Sequence, residues 1–152
     1  RSGAKQNSWV FDAEEFDQKA GVSQHAELLC QKLITLPWWN EGLHVIDFGC
    51  GTGLLARKLA ATKKVAKIDA VDVESAMIAL TTQRVKQQNL EHVINPRLLQ
   101  KLDASELVDS SADCLFTVTV IGHVRELDIP IVFANLAKAI APGGRLIIAE
   151  FN

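Results

Sequence analysis

The sequence predicts an α/β fold, a mostly parallel sheet with crossover helices on its faces. Three observations carry that expectation. Short apolar runs rich in valine and isoleucine recur at 43–48, 66–71, 94–99, 113–120 and 145–150. Helix-like stretches lie between them at 53–63, 75–89 and 129–140. The first run ends in glycines, within "LHVIDFGCGTGLLARKLA" (43–60). Strands that alternate with helical patterns pair in parallel, because each helix carries the chain back across the sheet.

Two helical patterns precede this alternation. "SWVFDAEEFDQKAG" has Ser8 as an N-cap and Gly21 as a stop. "VSQHAELLCQKLITL" places Ala26, Leu28, Leu29, Leu33 and Leu36 on one helix face, and Pro37 ends it. Neither an internal repeat nor a low-complexity linker interrupts the chain. A single domain over 1–152 is therefore expected, with N-terminal helices at 8–36 and an α/β core at 43–152. No function is assigned to the opening "RSGAK".

Composition excludes several classes. The 152 residues suffice for a substantial core, and a net charge of −2 gives no reason to expect a nucleic-acid or anionic-membrane partner. Basic groups such as "TKKVAK" (62–67) read as solvated helix ends. Cys30, Cys50 and Cys114 are odd in number and lack CxxC spacing, so free thiols in a reducing compartment are expected. No run of about 18 apolar residues and no signal-peptide core are present, which predicts a cytoplasmic protein, a nuclear one being the alternative.

The glycines locate the chemistry. A strand ending in "DFGCGTG" turns sharply into a helix, and Gly49, Gly51 and Gly53 leave room for a ligand to approach the backbone. The free N–H groups at the helix start favour an anionic or electron-rich group. A dinucleotide site wants G-x-G-x-x-G, whereas Leu54 stands three residues after Gly51, which weakens the pyrophosphate reading. A G-K-[ST] grip on a triphosphate is absent. Asp72 ends the second apolar run, roughly 20 residues on, where a carboxylate can accept from both hydroxyls of a ribose. It can also cap the helix that begins near Glu74, and the two roles are compatible.

"VIDFGCGTG", "IDAVDVESAM", "LLQKLDASEL", "ADCLFTVTVIGHV" and "APGGRLIIAE" occur in that order from residue 43 onward. Together they resemble the class I S-adenosylmethionine-dependent methyltransferases. The resemblance implies a Rossmann-like three-layer α/β/α sandwich with strand order 3-2-1-4-5. It implies that Asp47 orients the glycine loop and the methionine amino group, and that Gly49, Cys50 and Gly51, with Gly53, form the cofactor loop. Asp72 would hold the ribose hydroxyls, with Val73 and Met77 packing near the adenine. Asp103 and Ala104 would meet the adenine edge. Val120, Ile121 and His123 would lie beside the sulfonium and the methyl acceptor. The implied cofactor is S-adenosyl-L-methionine, the product S-adenosyl-L-homocysteine, and no metal is expected.

Methyl transfer needs positioning and exclusion of water more than a conspicuous base. His123 is the candidate catalytic base, weighed against a loop histidine that only packs beside the cofactor. His25, His44 and His92 lack metal-ligand spacing and read as structural or exposed. No Asn-Pro-Pro-Tyr-like motif, Pro-Cys pair or acidic metal cluster follows the fourth strand. What remains is methylation of an oxygen, nitrogen or carbon on a small-molecule or protein acceptor. Trp9, Phe11 and Phe16 stand either in the acceptor pocket or in packing, and Trp38–Trp39 is expected to pack.

The sequence departs from the family pattern in lacking the usual C-terminal hairpin after the fifth strand. That strand is then an open sheet edge, which folded proteins cover. A longer parent protein, or a homo- or hetero-oligomeric partner on the edge, would account for it. The competing expectation is a catalytically weak binding or scaffold subunit.

Overall fold

The computed structural model of the chain describes Asp17 and residues 20–150. Its elements are α1 (Ala20–Ile34), β1 (Leu43–Phe48), α2 (Leu54–Ala61), β2 (Val65–Asp72), α3 (Ser75–Gln87), β3 (Ile94–Leu98), β4 (Ala112–Val118), α4 (Ile129–Ala139) and β5 (Ile140–Ala149). Alternation along the strands makes the layers. In β1, Val45 joins one core with Leu33 and Trp39, Leu59 and Val85, while Ile46 and Phe48 join a second with Leu115 and Leu136. The first core is roofed by α1, α2 and α3, the second by α4 and a short helical turn at Ser105–Leu107. A parallel sheet covered on both faces needs apolar residues on both, and the near-continuous apolar strands supply them.

The strand order is β3-β2-β1-β4-β5, and every neighbouring pair is parallel. This is the predicted order. It brings the carboxyl ends of β1, β2 and β4 to one edge of the sheet, where the order reverses between β1 and β4.

Three local expectations change. Gly21 lies inside α1 rather than ending a helix, with no left-handed backbone there to turn the chain. The fifth strand starts at Ile140, not near residue 145. Ala112 pairs with Ile140 and Cys114 with Arg145, so the intervening "APGG" bulges out of the ladder. Thr119 and Val120 fall outside β4, which stops at Val118. Trp39 packs as expected, 5% exposed beside Cys30 and Leu33. Trp38 lies against it, with the Arg145 guanidinium 5.5 Å from its ring centre. Trp9, Phe11 and Phe16, and the Ser8 cap, lie outside the described residues.

Candidate cofactor site

A cavity of about 650 Å³ opens at the carboxyl ends of β1, β2 and β4. Pockets for cofactors and small ligands span roughly 300–1,000 Å³, so its size suits such a ligand. Its floor is the glycine loop, held from three sides. The Gly51 N–H donates to Asp72 Oδ2 at 2.9 Å. Thr81 Oγ1, from α3, donates to the Gly51 carbonyl at 2.9 Å. The Gly49 and Cys50 N–H groups donate to the Val71 carbonyl at 2.8 and 2.9 Å. Glycine is required here by sterics. A Cβ on Gly49 would collide with the Val120 side chain, and one on Gly53 would lie 2.6 Å from Thr81 Cγ2. Both backbones are left-handed, with φ of +78° and +74°.

Asp72 does two jobs at once. Oδ2 fixes the loop, and Oδ1 accepts from the Glu74 N–H at 2.9 Å, steadying the start of α3. Each oxygen keeps a lone pair free for a further donor. Asp47 differs. It is buried, lines the same cavity and accepts no hydrogen bond among the described residues. Burial, and then the charge of Asp72, push its carboxyl up to about 8. A buried carboxyl without partners becomes a counter-charge for a cationic ligand group once it ionises. Burial, followed by the charges of Asp47 and Asp72, also raises the Cys50 thiol, which stays protonated and is a poor nucleophile.

Opposite the loop, the segment after β4 forms the other lip. Val118, Thr119, Val120 and His123 line it. Thr119 has a left-handed backbone (φ +55°), a conformation costly for a β-branched residue and typical of sites whose shape matters more than local ease. The turn at Ile121–His123 is tied to the end of β5, where Glu150 Oε1 accepts from the Ile121 N–H at 3.1 Å.

Of the predicted cofactor residues, Asp47, Gly49, Cys50, Gly51, Asp72, Val73, Met77 and Val120 all line the cavity, as does His123. Gly53, Asp103 and Ala104 do not. Gly53 serves the close approach of Thr81 instead. Ala104 is fully buried in the second core, its left-handed backbone turning the side chain inward. Asp103 accepts from the Ser105 N–H at 2.9 Å, and its pKa is lowered by hydrogen bonding to the Ser105 side chain and then to that N–H, while its carbonyl accepts from Asn135 at 2.8 Å. On that side the cavity is lined by Leu99 and Leu102. The loop-orienting role expected of Asp47 belongs to Asp72. His25, read as structural or exposed, lines the cavity from α1 together with Val22, Ala26 and Leu29. No sequence signal marked it, because only the packing of α1 on α2 brings it there. His44 is structural, 2.7 Å from Asp69 on the opposite face of the sheet.

A family model described as a methyltransferase domain matches residues 46–146. The chain belongs to this methyltransferase family. The matched segment of the methyltransferase chain runs from β1 to β5 and includes the whole glycine loop. A ubiquinone biosynthesis O-methyltransferase of Caulobacter sp. (strain K31) is 33% identical over 113 residues, covering 74% of this chain and 42% of that protein. The chain thus spans less than half the length of this relative. Two solved structures show the same fold. One, from Methanococcus maripaludis and described as an S-adenosyl-L-methionine-dependent methyltransferase, has a TM-score of 0.79 at 18% identity, covering 91% of this chain and 62% of its own. The other is DhpI in complex with SAH, with a TM-score of 0.69 at 20% identity, covering 91% and 63%.

Proposed function

We propose that this methyltransferase chain transfers a methyl group from S-adenosyl-L-methionine to an oxygen of a largely apolar small molecule, releasing S-adenosyl-L-homocysteine. The observation that carries the proposal is the meeting, in one cavity, of an unpartnered buried carboxylate, a second carboxylate with spare lone pairs and a glycine cradle. The donor set fits the cofactor. Asp47 would pair with the amino group, Asp72 would accept from the ribose hydroxyls, and Val73, Met77 and Leu99 would pack on the adenine. When bound, the cofactor supplies an electrophilic methyl carbon on a sulfonium leaving group.

The protein's own part is positioning and dryness. Leu29, Leu102 and Val118 present apolar surface to an acceptor and exclude water from the reacting centre. His123 stands at the lip and takes the hydroxyl proton as the oxygen attacks. The name of the Caulobacter relative, an O-methyltransferase, supports oxygen as the acceptor atom. Three free cysteines support a reducing, cytoplasmic setting. Among the described residues no helix is long and apolar enough to cross a membrane. Among the described residues β5 is an edge strand, with Leu146 36% and Ile148 44% exposed.

The test is release of S-adenosyl-L-homocysteine from S-adenosyl-L-methionine with a panel of apolar phenols and catechols, set beside protein acceptors. Turnover with a hydroxylated small molecule, lowered at least about tenfold by His123→Ala, is the expected result. Cofactor binding without turnover on any hydroxyl acceptor would refute oxygen methylation by this chain.

A further inference from the structure

Behind the glycine loop lies a cluster of charge that the chemistry above does not use. The Asp17 carboxylate sits among three donors from three parts of the chain. Thr52 Oγ1 donates to Oδ1 at 2.5 Å, Arg57 Nη2 donates to Oδ2 at 3.4 Å, and Arg84 Nη1 donates to the same oxygen. Thr52 belongs to the loop, Arg57 to α2 and Arg84 to α3. The side chains of Asp17, Arg57 and Arg84 are 11%, 10% and 15% exposed, and Thr52 is 3% exposed. Two guanidinium groups share one carboxylate, and Arg57 Nε finds no partner among the described residues.

So buried a cluster contributes little net stability, since desolvation offsets most of the attraction. Removing Asp17, the one anion of the cluster among the described residues, is another matter, because two buried cations would then face each other. The cluster therefore dictates where Asp17 must be. Asp17 stands three residues before α1 in the sequence, and Val22, His25, Ala26 and Leu29 of α1 form one wall of the cavity. Through Thr52 the same carboxylate grips the loop between Gly51 and Gly53. Wall and floor are thus joined at one atom group.

We propose that Asp17 is a positioning residue that locks the N-terminal wall and the glycine loop into one unit, so that the wall closes and the loop takes its ligand-binding shape together. Its effect on affinity rests on the reading that this cavity holds the cofactor. The coupling itself does not.

Two measurements on the full chain decide it. Hydrogen exchange without ligand should be faster by about tenfold or more in Asp17→Asn at residues 22–29 and 49–53 together, with β1 and β4 unchanged. Faster exchange at the wall alone, equal loss of protection throughout the sheet, or no change would each overturn the proposal. If Asp17→Asn does not fold, Thr52→Val removes only the hydroxyl link and Thr52→Ser restores it. S-adenosyl-L-homocysteine affinity should then fall on the order of tenfold in Thr52→Val and stay near wild type in Thr52→Ser. Equal affinity in both variants would overturn it. A wild-type chain that binds no S-adenosyl-L-homocysteine would sink the cofactor reading instead, and the ligand-free exchange at 22–29 and 49–53, measured in Asp17→Asn or in Thr52→Val, would still decide the coupling.

Discussion

At the scale of single residues, Asp47 and Asp72 show how one sheet edge gives two carboxylates different work. Asp72 is solvated enough and hydrogen-bonded enough to serve as a fixed acceptor, whereas Asp47 is buried and unpartnered, with its carboxyl pushed up to about 8. The sign of the pH dependence follows. A carboxyl raised above its ordinary 3.8 contributes stability that is fully present below that value and is lost as pH rises toward about 8. Unliganded stability should fall across that window, and Asp47→Asn should flatten the fall in thermal melts. Affinity should run the other way. Pairing with a cationic amino group needs the ionised form, so S-adenosyl-L-homocysteine binding should strengthen by up to about tenfold per pH unit below about 8. Asp47→Asn should remove that slope and weaken binding, and titrations at several pH values read both effects. For Asp72→Ala, loss of charged hydrogen bonds predicts about 1.5–3 kcal/mol weaker cofactor binding by calorimetry. Unchanged affinity would overturn the ribose assignment. Asp72 was legible in the sequence as the acid ending the second apolar run roughly 20 residues after the glycines, and Asp47 through the resemblance that the ordered motifs carry. What spacing does not encode is the exchange of roles: the loop amide of Gly51 reaches Asp72 across the β1–β2 pair, and only the register decides that.

At the scale of elements, the strand–loop–helix unit of β1 and α2 depends on two close approaches. Gly49 makes room for Val120, and Gly53 makes room for Thr81. Gly49→Ala should therefore weaken ligand binding and destabilise the fold by about 1–3 kcal/mol, and Val120→Ala in the same chain should recover part of the loss. The backbone at φ +78° keeps the recovery incomplete. Denaturant melts of the two single variants and the double variant measure the coupling, and strict additivity would contradict the contact. A second element-level consequence concerns the turn that carries His123. With its Ile121 anchor removed, Glu150→Ala should lower kcat by about tenfold while leaving S-adenosyl-L-homocysteine affinity within about twofold. A loss of affinity equal to the loss of kcat would place Glu150 in the cofactor site instead. Of these features, the glycines, Val120 and the Ile121–His123 segment were visible beforehand. Thr119 and Glu150 carry no local signature, since their parts arise from pairing between β4 and β5. Ala104 looked like a ligand neighbour by its motif position, but a left-handed backbone turns it into the core.

Taken as a whole molecule, the chain is a two-faced parallel sheet whose order reverses between β1 and β4, directly beside the cavity. The layers and the site's location followed from strand–helix alternation and the glycine cluster, because apolar periodicity and a strand-to-helix turn are written in consecutive residues, while the strand order came from the family resemblance of the ordered motifs. The cavity's far wall was not legible. His25 and Leu29 reach it by tertiary packing of α1, and Asp17 meets Arg57 and Arg84 from 40 and 67 residues away. The matched Caulobacter O-methyltransferase is more than twice as long as the segment it shares, so acceptor selection is the property most open to residues beyond this fold. The central claim, that the cavity is an S-adenosylmethionine site, is tested most directly by calorimetric titration of the chain with S-adenosyl-L-homocysteine, with NAD as the comparison. Saturable one-site binding of S-adenosyl-L-homocysteine with none of NAD is the predicted result. Preference for NAD, or no binding of S-adenosyl-L-homocysteine at any pH near neutrality, would contradict it.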